Sequence, residues 1–300
     1  MRDASGTPRL RDGYEALLLD LDGTLYRGSA VIEGGPAELA GGGQRLVYVT
    51  NNASRAAGSV AAHLAEMGYR AGETDVVTSA QAAGRLLAER VERGGEVLVV
   101  GTDDLAAEVK AAGLQPVRRA AESVVAVVQG HSPQTAWPDL AEASYALRAG
   151  ALWVAANTDR TLPNERGLAP GNGAMVAALR AASDREPVVA GKPYPPLLEN
   201  ALERAGTRGA LVVGDRLDTD IDGAENVAVD SLLVLTGVST VEELAGLPEH
   251  RWPTYIAGSL AALNSAPVAG GIDEPEEIRR ALLAHPGRAL RVRAPRSEIR

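Results

Sequence analysis

The 300-residue chain contains no cysteine and no phenylalanine, and aromatic residues make up only 3% of it. The absence of cysteine excludes disulfides, thiolate nucleophiles and cysteine-bound zinc. The four histidines are scattered without the spacing of a zinc site. Because aromatic residues are so few, the core has to be built from Val, Leu, Ala and Ile, and the hydrophobic content of 45% is normal for a globular chain.

Long apolar runs and positive charge are lacking too. No stretch approaches the length of a membrane span, and the first eight residues contain no apolar segment of the signal-peptide kind. We therefore expect a cytoplasmic protein without a membrane partner. The net charge of -9 argues against general nucleic-acid binding, which requires a basic surface. Because the overall field repels anions, a phosphorylated substrate would need local donors and a metal ion.

Two carboxylates follow a short apolar run between Leu17 and Tyr26. The run is too short for a free-standing helix and predicts a buried strand, after which Gly23 lets the backbone turn away. Open α/β folds bind ligands at the carboxyl ends of parallel strands, so Asp20 and Asp22 would face a ligand there. An ordinary turn built by aspartate side chains is the structural alternative.

Strand and helix patterns alternate along the chain and predict an α/β fold with a parallel sheet. Three strands that lie far apart in sequence end in polar residues, at Asp20, Thr50 and Asp215. A parallel sheet would bring these ends together. Ser54 has the character of a helix N-cap, and the segment 157–173 is rich in Pro, Gly, Asn and Asp, which predicts a loop.

The strands between about residues 80 and 186 lack polar ends, which indicates an insertion. We therefore expect a Rossmann-like, parallel-sheet core domain formed by residues 1–79 and 187–268, with an inserted α/β cap domain at residues 80–186. The Arg-rich C-terminal extension, residues 269–300, is expected to be a solvated appendage or a crossing element rather than a binding arm, and its role stays open.

The acidic pair suits the hydrolysis of a phosphomonoester. Asp20 is the candidate nucleophile, because carboxylates form aspartyl-phosphate intermediates, and Asp22 is the candidate acid and base for the leaving group and water. Hard oxygen ligands suit Mg²⁺, which Asp20, Asp215 and a main-chain carbonyl near Asp22 would hold. The metal ion would offset the repulsion between an anionic nucleophile and an anionic substrate.

Phosphoryl transfer also requires donors for the phosphoryl oxygens. Lys192 would supply positive charge, and the Thr50 hydroxyl with the backbone amides near Leu21 and Asn51 would supply hydrogen bonds. Each of these short motifs has a structural alternative when it is taken alone. Gly-Lys-Pro is a common loop tripeptide, and Thr-Asn-Asn could form a turn with a helix cap.

Taken together and in this order, the motifs resemble those of the haloacid dehalogenase-like phosphatase superfamily along nearly the whole chain. The resemblance implies Asp20 as nucleophile, Asp22 as acid and base, and a magnesium site at Asp20, Asp22 and Asp215. It also implies phosphate binding by Leu21, Thr50, Asn51 and Lys192. Asp220 is implied as a hydrogen-bond partner of a metal-bound water or of Lys192. For Asp218 a structural and a catalytic role stay open.

The segment between Thr50 and Lys192 resembles the large α/β cap of the NagD-like group. The resemblance is greatest to bacterial glycerol-3-phosphate phosphatases, and it implies a cap loop that faces the leaving group of a small phosphorylated metabolite. The specificity candidates on this loop are Arg160, Leu162, Asn164 and Arg166. Phosphoglycolate, pyridoxal phosphate and p-nitrophenyl phosphate stay open as substrates, and a homodimer through the cap is a further expectation from the group.

Two competing functions use the same fold. A phosphotransferase or phosphomutase would form the same aspartyl-phosphate. A catalytically silent binding protein would be expected to have lost Asp20, Asp22, Lys192 or Asp215, and this chain retains all four. One departure from the group is Ala228, which stands where a glycine often follows a helix and is expected to strain that turn.

Overall fold

The computed structural model describes residues 7–164, 166–269 and 274–296. The strands are β1 (Ala16–Leu19), β2 (Tyr26–Arg27), β3 (Ala30–Val31), β4 (Arg45–Thr50), β5 (Val76–Thr78), β6 (Glu96–Val100), β7 (Gln115–Val117), β8 (Val124–Gln129), β9 (Leu152–Ala155), β10 (Thr161–Asn164), β11 (Gly167–Pro170), β12 (Val188–Val189), β13 (Ala210–Gly214), β14 (Asp230–Val234), β15 (Tyr255–Ala257), β16 (Val268–Ala269) and β17 (Leu290–Arg291). The α-helices are α1 (Gly35–Leu39), α2 (Ala57–Glu66), α3 (Ser79–Ala88), α4 (Asp103–Ala111), α5 (Trp137–Arg148), α6 (Asn172–Ser183), α7 (Pro195–Ala205), α8 (Asp222–Asn226), α9 (Val241–Ala245) and α10 (Pro275–Ala284).

The chain divides into two compact units. The first takes its described residues from Met1–Val49, Ala62–Asp75 and Ala201–Arg300. Its sheet has the strand order β16, β17, β15, β14, β13, β1 and β4. Neighbouring strands from β15 to β4 run parallel, and β17 is antiparallel to β15. The α/β fold with a parallel sheet that the sequence predicts is thereby confirmed.

Strand β1 lies between β13 and β4, and all four of its residues are buried. Leu19 pairs with Val213 on one side and with Tyr48 on the other. The pairing continues one residue further, because the Asp20 amide donates to the Val213 carbonyl over 2.9 Å. Asp20 and Asp215 therefore follow two adjacent parallel strands at the same edge of the sheet.

The C-terminal segment is built into the first unit, so of its two expected forms the solvated appendage is wrong. Ile278 on α10 and Leu290 on β17 are fully buried and belong to the core cluster that also contains Leu233 and Ile256. Strand β17 occupies a place in the sheet between β16 and β15. The sequence did not reveal this strand, because a two-residue pairing has too short a pattern to detect.

The second unit comprises Thr50–Ala61 and Val76–Asn200. Its five-stranded sheet has the order β12, β9, β8, β6 and β7, with every neighbouring pair parallel. Aliphatic side chains and Trp153 pack between this sheet and helices α5 and α6. Helix α3 begins with a capping box, in which Thr78 and Gln81 exchange side-chain and backbone hydrogen bonds of 3.1 and 3.2 Å.

Two local predictions in this unit are wrong. The segment expected to be a loop contains an antiparallel hairpin, in which Leu162 pairs with Ala169 and Asn164 with Gly167. Both strands of an isolated hairpin are edges, so prolines that lack an N–H group are tolerated within them. Ser54 is not an N-cap, because α2 begins at Ala57 and the Ser54 amide donates to Asn52 Oδ1 over 2.7 Å.

The boundaries of the two units differ from those of the expected core and cap. Residues 50–61 and 187–200 fall in the second unit, and the described part of 269–300 falls in the first. The division into a core and an inserted cap stays a prediction. Within the described residues, no helix combines the length and the apolar character needed to cross a bilayer.

Candidate active site

A cluster of three carboxylates lies in the first unit. Asp20, Asp215 and Asp220 each place one carboxylate oxygen within 4.8 Å of the others. Asp215 and Asp220 are almost fully buried, at 0% and 1% exposure, and Asp20 is half-buried. The Thr24 hydroxyl lies 3.4 Å from Asp20 Oδ2. The parallel sheet thus brings together the strand ends at Asp20 and Asp215, as the sequence predicts.

Glycines provide the space that these carboxylates occupy. Gly23 has a φ of 88°, and a Cβ placed on it would lie closer than 3.0 Å to the carboxylate of Asp215. A Cβ on Gly214 would overlap the side chain of Asp220 in the same way. Both positions therefore require glycine for close approach, and Gly23 requires it for its backbone conformation as well.

Asp22 lies outside the carboxylate cluster. Its side chain keeps contact with solvent, but the surrounding protein atoms raise its carboxyl pKa above the ordinary value through desolvation. Backbone hydrogen bonds from Gly23 and Gly28 oppose this rise in pKa. A raised pKa favours the protonated form and so suits a group that has to donate a proton.

Asp220 joins Asp20 and Asp215 in the cluster. The metal ligand expected near Asp22 is a main-chain carbonyl, so that assignment stays a prediction. Asp220 lies on a π-helical turn, Leu217–Ile221, and its Oδ2 accepts a hydrogen bond of 3.1 Å from the Arg216 amide. Such turns are rare and are frequent at functional sites. Asp218 on the same turn forms a bidentate pair with the Arg216 guanidinium at 3.0 and 2.8 Å, which gives it a structural contact.

The donor set of the cluster fits Mg²⁺. All three side chains offer hard carboxylate oxygens, which are the ligands that Mg²⁺ prefers. Burying neighbouring carboxylates is costly unless a cation or hydrogen bonds compensate their charge. Asp20, Asp215 and Asp220 would therefore hold the ion, which would supply positive charge next to the nucleophile candidate.

The predicted phosphate ligands of the second unit surround the Asn51 side chain. Asn51 Oδ1 accepts from the Lys192 amide over 2.8 Å, and Asn51 Nδ2 donates to the Lys192 carbonyl over 3.1 Å. Nδ2 also reaches Asp159 Oδ1 at 3.2 Å. Lys192 is 2% exposed. Thr50 is the last residue of β4, and its hydroxyl accepts from the Asn52 amide over 3.0 Å.

Further polar residues hold the main chain of Asn51. Its carbonyl accepts hydrogen bonds from the Ser79 hydroxyl and from Asn157 Nδ2. Asn172 Nδ2 in turn donates to the Asn157 carbonyl over 2.7 Å. A Cβ on Gly191 would lie 2.7 Å from Asn51 Oδ1, so glycine is needed for the close approach of this segment. Asn51 thus joins the segments that follow β4, β9 and β12.

The expected specificity residues lie on or beside the hairpin of β10 and β11. Arg160 and Arg166 are exposed, and Leu162 is 38% exposed. The Arg160 carbonyl accepts from the Gly171 amide over 3.0 Å, which closes the base of the hairpin. Asn164 is the last residue of β10, and its side chain lies outside the described part of the structure.

Several residues around these sites had no assignment from the sequence. Ser79, Asn157 and Asn172 support Asn51, and the loop after β14 approaches Asp215. Asn157 and Asn172 stand at the ends of the Asn-rich segment that was taken as a loop, so their polar character was a usable signal. The loop after β14 carries no charged residue between Leu235 and Thr240 and gave no such signal.

Comparison with known families and proteins gives consistent matches. Residues 17–115 match the haloacid dehalogenase-like hydrolase family, and residues 189–263 match a related HAD-hydrolase-like model. The chain is 55% identical over 251 residues to a D-glycerol 3-phosphate phosphatase of Mycobacterium tuberculosis, with 84% of this chain and 71% of that protein covered.

A second relative is the acid sugar phosphatase of Staphylococcus aureus, which is 38% identical over 258 residues, covering 84% of this chain and 96% of the relative. Among solved structures, a glycerol phosphate phosphatase from Mycobacterium tuberculosis in complex with magnesium superposes with a TM-score of 0.84. That comparison has 53% identity and covers 86% of this chain and 79% of the solved one.

Proposed function

The chain belongs to the haloacid dehalogenase-like hydrolase family and is a phosphatase, and we propose that it is a magnesium-dependent enzyme that hydrolyses glycerol 3-phosphate. The observation that carries the reaction type is the cluster of Asp20, Asp215 and Asp220 at one sheet edge. The 55% identical relative supports the substrate, and the related structure with bound magnesium supports the metal.

In the proposed first half-reaction, an Asp20 carboxylate oxygen attacks phosphorus and forms an aspartyl-phosphate. The bond between phosphorus and the alcohol oxygen breaks as the new bond forms. Asp22 donates its proton to the leaving alkoxide, and its raised pKa supports this role. The alcohol then leaves with that proton.

In the second half-reaction, water attacks the phosphorus of the aspartyl-phosphate. Asp22, now a carboxylate, takes a proton from this water, and the bond between Asp20 and phosphorus breaks. Phosphate is released, Asp20 is a carboxylate again and Asp22 is protonated again. A magnesium ion held by Asp20, Asp215 and a main-chain carbonyl near Asp22, with Asp220 beside them, would supply the positive charge that two anionic reactants require.

The phosphate ligands in this proposal are the Thr50 hydroxyl, the Lys192 amine and the backbone amides of Leu21 and Asn51. The order of the family motifs supports these roles, and the hydrogen bonds between Asn51 and the Lys192 backbone support a fixed position for the lysine. Arg160, Leu162, Asn164 and Arg166 are the proposed contacts to the leaving group. A cytoplasmic location and a homodimer through the cap are kept as predictions.

A comparison of kcat/KM among phosphomonoesters tests the substrate. The panel is glycerol 3-phosphate, phosphoglycolate, pyridoxal phosphate, p-nitrophenyl phosphate and a sugar phosphate, the last because of the acid sugar phosphatase relative. We expect glycerol 3-phosphate to have the highest value. A higher kcat/KM for another ester would make that ester the proposed substrate and would not contradict the reaction type.

The Asp20→Asn substitution and metal removal test the reaction type. We expect Asp20→Asn to lower turnover at least about a thousandfold while the melting temperature shows a folded protein, because the amide is a poor nucleophile. EDTA should stop turnover, and added Mg²⁺ should restore it. Hydrolysis by the Asn variant at the parent rate, or activity in EDTA, would contradict the mechanism.

A further inference from the structure

The loop after β14 contacts the carboxylate cluster, although no motif marks it. We name residues Thr236–Ser239 the 236–239 loop. The Val238 amide donates to Asp215 Oδ2 over 2.7 Å, and the Ser239 amide donates to the Asp215 main-chain carbonyl over 3.1 Å. Two successive backbone donors therefore hold both the side chain and the main chain of Asp215.

This contact leaves no room for a side chain at Gly237. A Cβ placed on Gly237 would lie closer than 3.0 Å to Asp215 Oδ2 and Cγ. Real Cβ atoms do not approach other atoms so closely, so any side chain at this position would displace the carboxylate or the loop. Glycine at 237 thus lets the backbone lie directly against the carboxylate of Asp215.

The same loop is anchored to the segment that carries the nucleophile candidate. The Thr236 hydroxyl donates to the Gly23 carbonyl over 2.7 Å, and the Arg27 guanidinium donates to the Thr236 carbonyl. Gly23 follows Asp20 by three residues, so these bonds connect the loop after β1 with the loop after β14.

A third anchor leads to the turn that carries Asp220. Ser239 Oγ accepts a hydrogen bond of 3.0 Å from the amide of Leu217, the first residue of the π-helical turn. The 236–239 loop is therefore bonded to Asp215 itself and to the segments beside Asp20 and Asp220. These are the three members of the carboxylate cluster.

We propose that the 236–239 loop is a positioning element for the magnesium site, in which the Val238 amide and Gly237 set the orientation of the Asp215 carboxylate. The inference rests on the proposed function, because it assumes that the cluster binds Mg²⁺. Mg²⁺ demands near-ideal octahedral geometry, so its affinity depends on the orientation of each carboxylate. Partners that hydrogen-bond to metal ligands change metal affinity by about 10–100-fold when they are altered.

The test is Mg²⁺ binding to the EDTA-treated full chain, measured by isothermal titration calorimetry. We expect Gly237→Ala to weaken Mg²⁺ binding about tenfold or more, because the added methyl group displaces Asp215. Raising the Mg²⁺ concentration should restore much of the kcat of this variant, and its melting temperature without metal should show a folded protein. Gly258→Ala is the matched control, because a Cβ at 258 meets no atom within 4 Å, and its Mg²⁺ affinity should equal that of the parent.

Thr236→Val provides a second variant that keeps the side-chain shape and removes the hydroxyl bond to Gly23. It should weaken Mg²⁺ binding severalfold, while a cooperative melting transition shows that the metal-free protein is folded. This variant decides the question if Gly237→Ala does not fold. Parent-like Mg²⁺ affinity in the folded variants would overturn the inference alone. A parent protein that binds no Mg²⁺ would overturn the proposed metal site as well.

Discussion

Ala228 occupies a backbone conformation that suits glycine. Its φ is 56°, in the left-handed region, where the methyl group of an L-residue crowds the following carbonyl. The residue is exposed and follows α8, so its side chain adds little packing to offset this strain. The strained turn expected from the sequence at this position is confirmed by the backbone.

We expect Ala228→Gly to raise the free energy of unfolding by about 1 kcal/mol, because glycine relieves the left-handed strain at a smaller cost in chain entropy. Urea denaturation of the metal-free protein measures this change. Ala40→Gly is the control, since Ala40 is exposed with an extended backbone, and this substitution should lower stability by a few tenths of a kcal/mol. A lower free energy of unfolding for Ala228→Gly would contradict the conclusion that the backbone at this position is strained.

At the scale of elements, Asn51 connects the segments after β4, β9 and β12. Its side-chain amide bonds to both the amide and the carbonyl of Lys192. We expect Asn51→Ala to cost about 1–3 kcal/mol of stability, because half-buried backbone groups lose their partners. It should also raise KM about tenfold or more, since the main chain of Lys192 is no longer held.

Thermal denaturation and steady-state kinetics with p-nitrophenyl phosphate measure these two effects. Asn52→Ala is the matched control, because Asn52 is exposed and its Oδ1 accepts from the amide and hydroxyl of Ser54. We expect this control to change stability by less than about 1 kcal/mol. Equal effects of the two substitutions would show that the Asn51 side chain does not position Lys192.

The hairpin of β10 and β11 is the element expected to select the substrate. Its exposed residues include Leu162 and Leu168, at 38% and 73% exposure. Replacing residues 159–167 with the corresponding segment of a family member should change the order of kcat/KM among phosphomonoesters, because loops carry specificity on a shared scaffold. Inhibition by inorganic phosphate serves as the control and should stay the same. An unchanged substrate order would exclude the hairpin as the selector.

At the scale of the whole molecule, the C-terminal segment is joined to the first unit by charge as well as by packing. Arg293 and Arg296 both bond to Glu225 Oε2, at 2.7 and 2.6 Å. The Arg296 amide also donates to Asp230 Oδ1 over 2.9 Å. Burial acts to raise the pKa of Glu225, but the two guanidinium groups outweigh it, and the pKa lies below its ordinary value.

A lowered pKa means that the folded state favours the Glu225 carboxylate. The resulting stability is present above the ordinary pKa of 4.5 and is lost as the pH falls through the lowered pKa of the folded protein. We expect Glu225→Gln to lower the free energy of unfolding at pH 7 by about 0.5–1 kcal/mol, a size typical of partly exposed ion pairs. The difference from the parent should shrink below about pH 4.5.

Urea denaturation at several pH values checks this dependence. Glu276→Gln is the control, because Glu276 is 78% exposed and pairs with Arg279 within the same helix. Its effect should stay within about 0.5 kcal/mol at every pH. If the free energy of unfolding of Glu225→Gln stays below that of the parent by the same amount at low pH, charge pairing with the two arginines is not the source of the difference.

The elements that the sequence predicted well are those whose pattern is local. The run before Asp20 and the run before Asp215 became β1 and β13, because four or five consecutive apolar residues leave few alternatives to a buried strand. The hairpin at 161–170 and strand β17 were missed. Their pairing depends on partner strands that local composition does not reveal. Prolines within the hairpin also argue against a strand when only the sequence is considered.

The sequence by itself determined the reaction chemistry, because Asp20, Asp22, Thr50, Lys192 and Asp215 stand in an order and type that suit phosphoryl transfer. Only the tertiary structure decided which carboxylates meet, since the π-helical turn brings Asp220 to Asp20 and Asp215 while Asp22 lies apart. It also decided that an uncharged loop holds Asp215. The contact is made by a backbone amide and by a glycine that has no Cβ, and no side chain in the sequence indicates either of them.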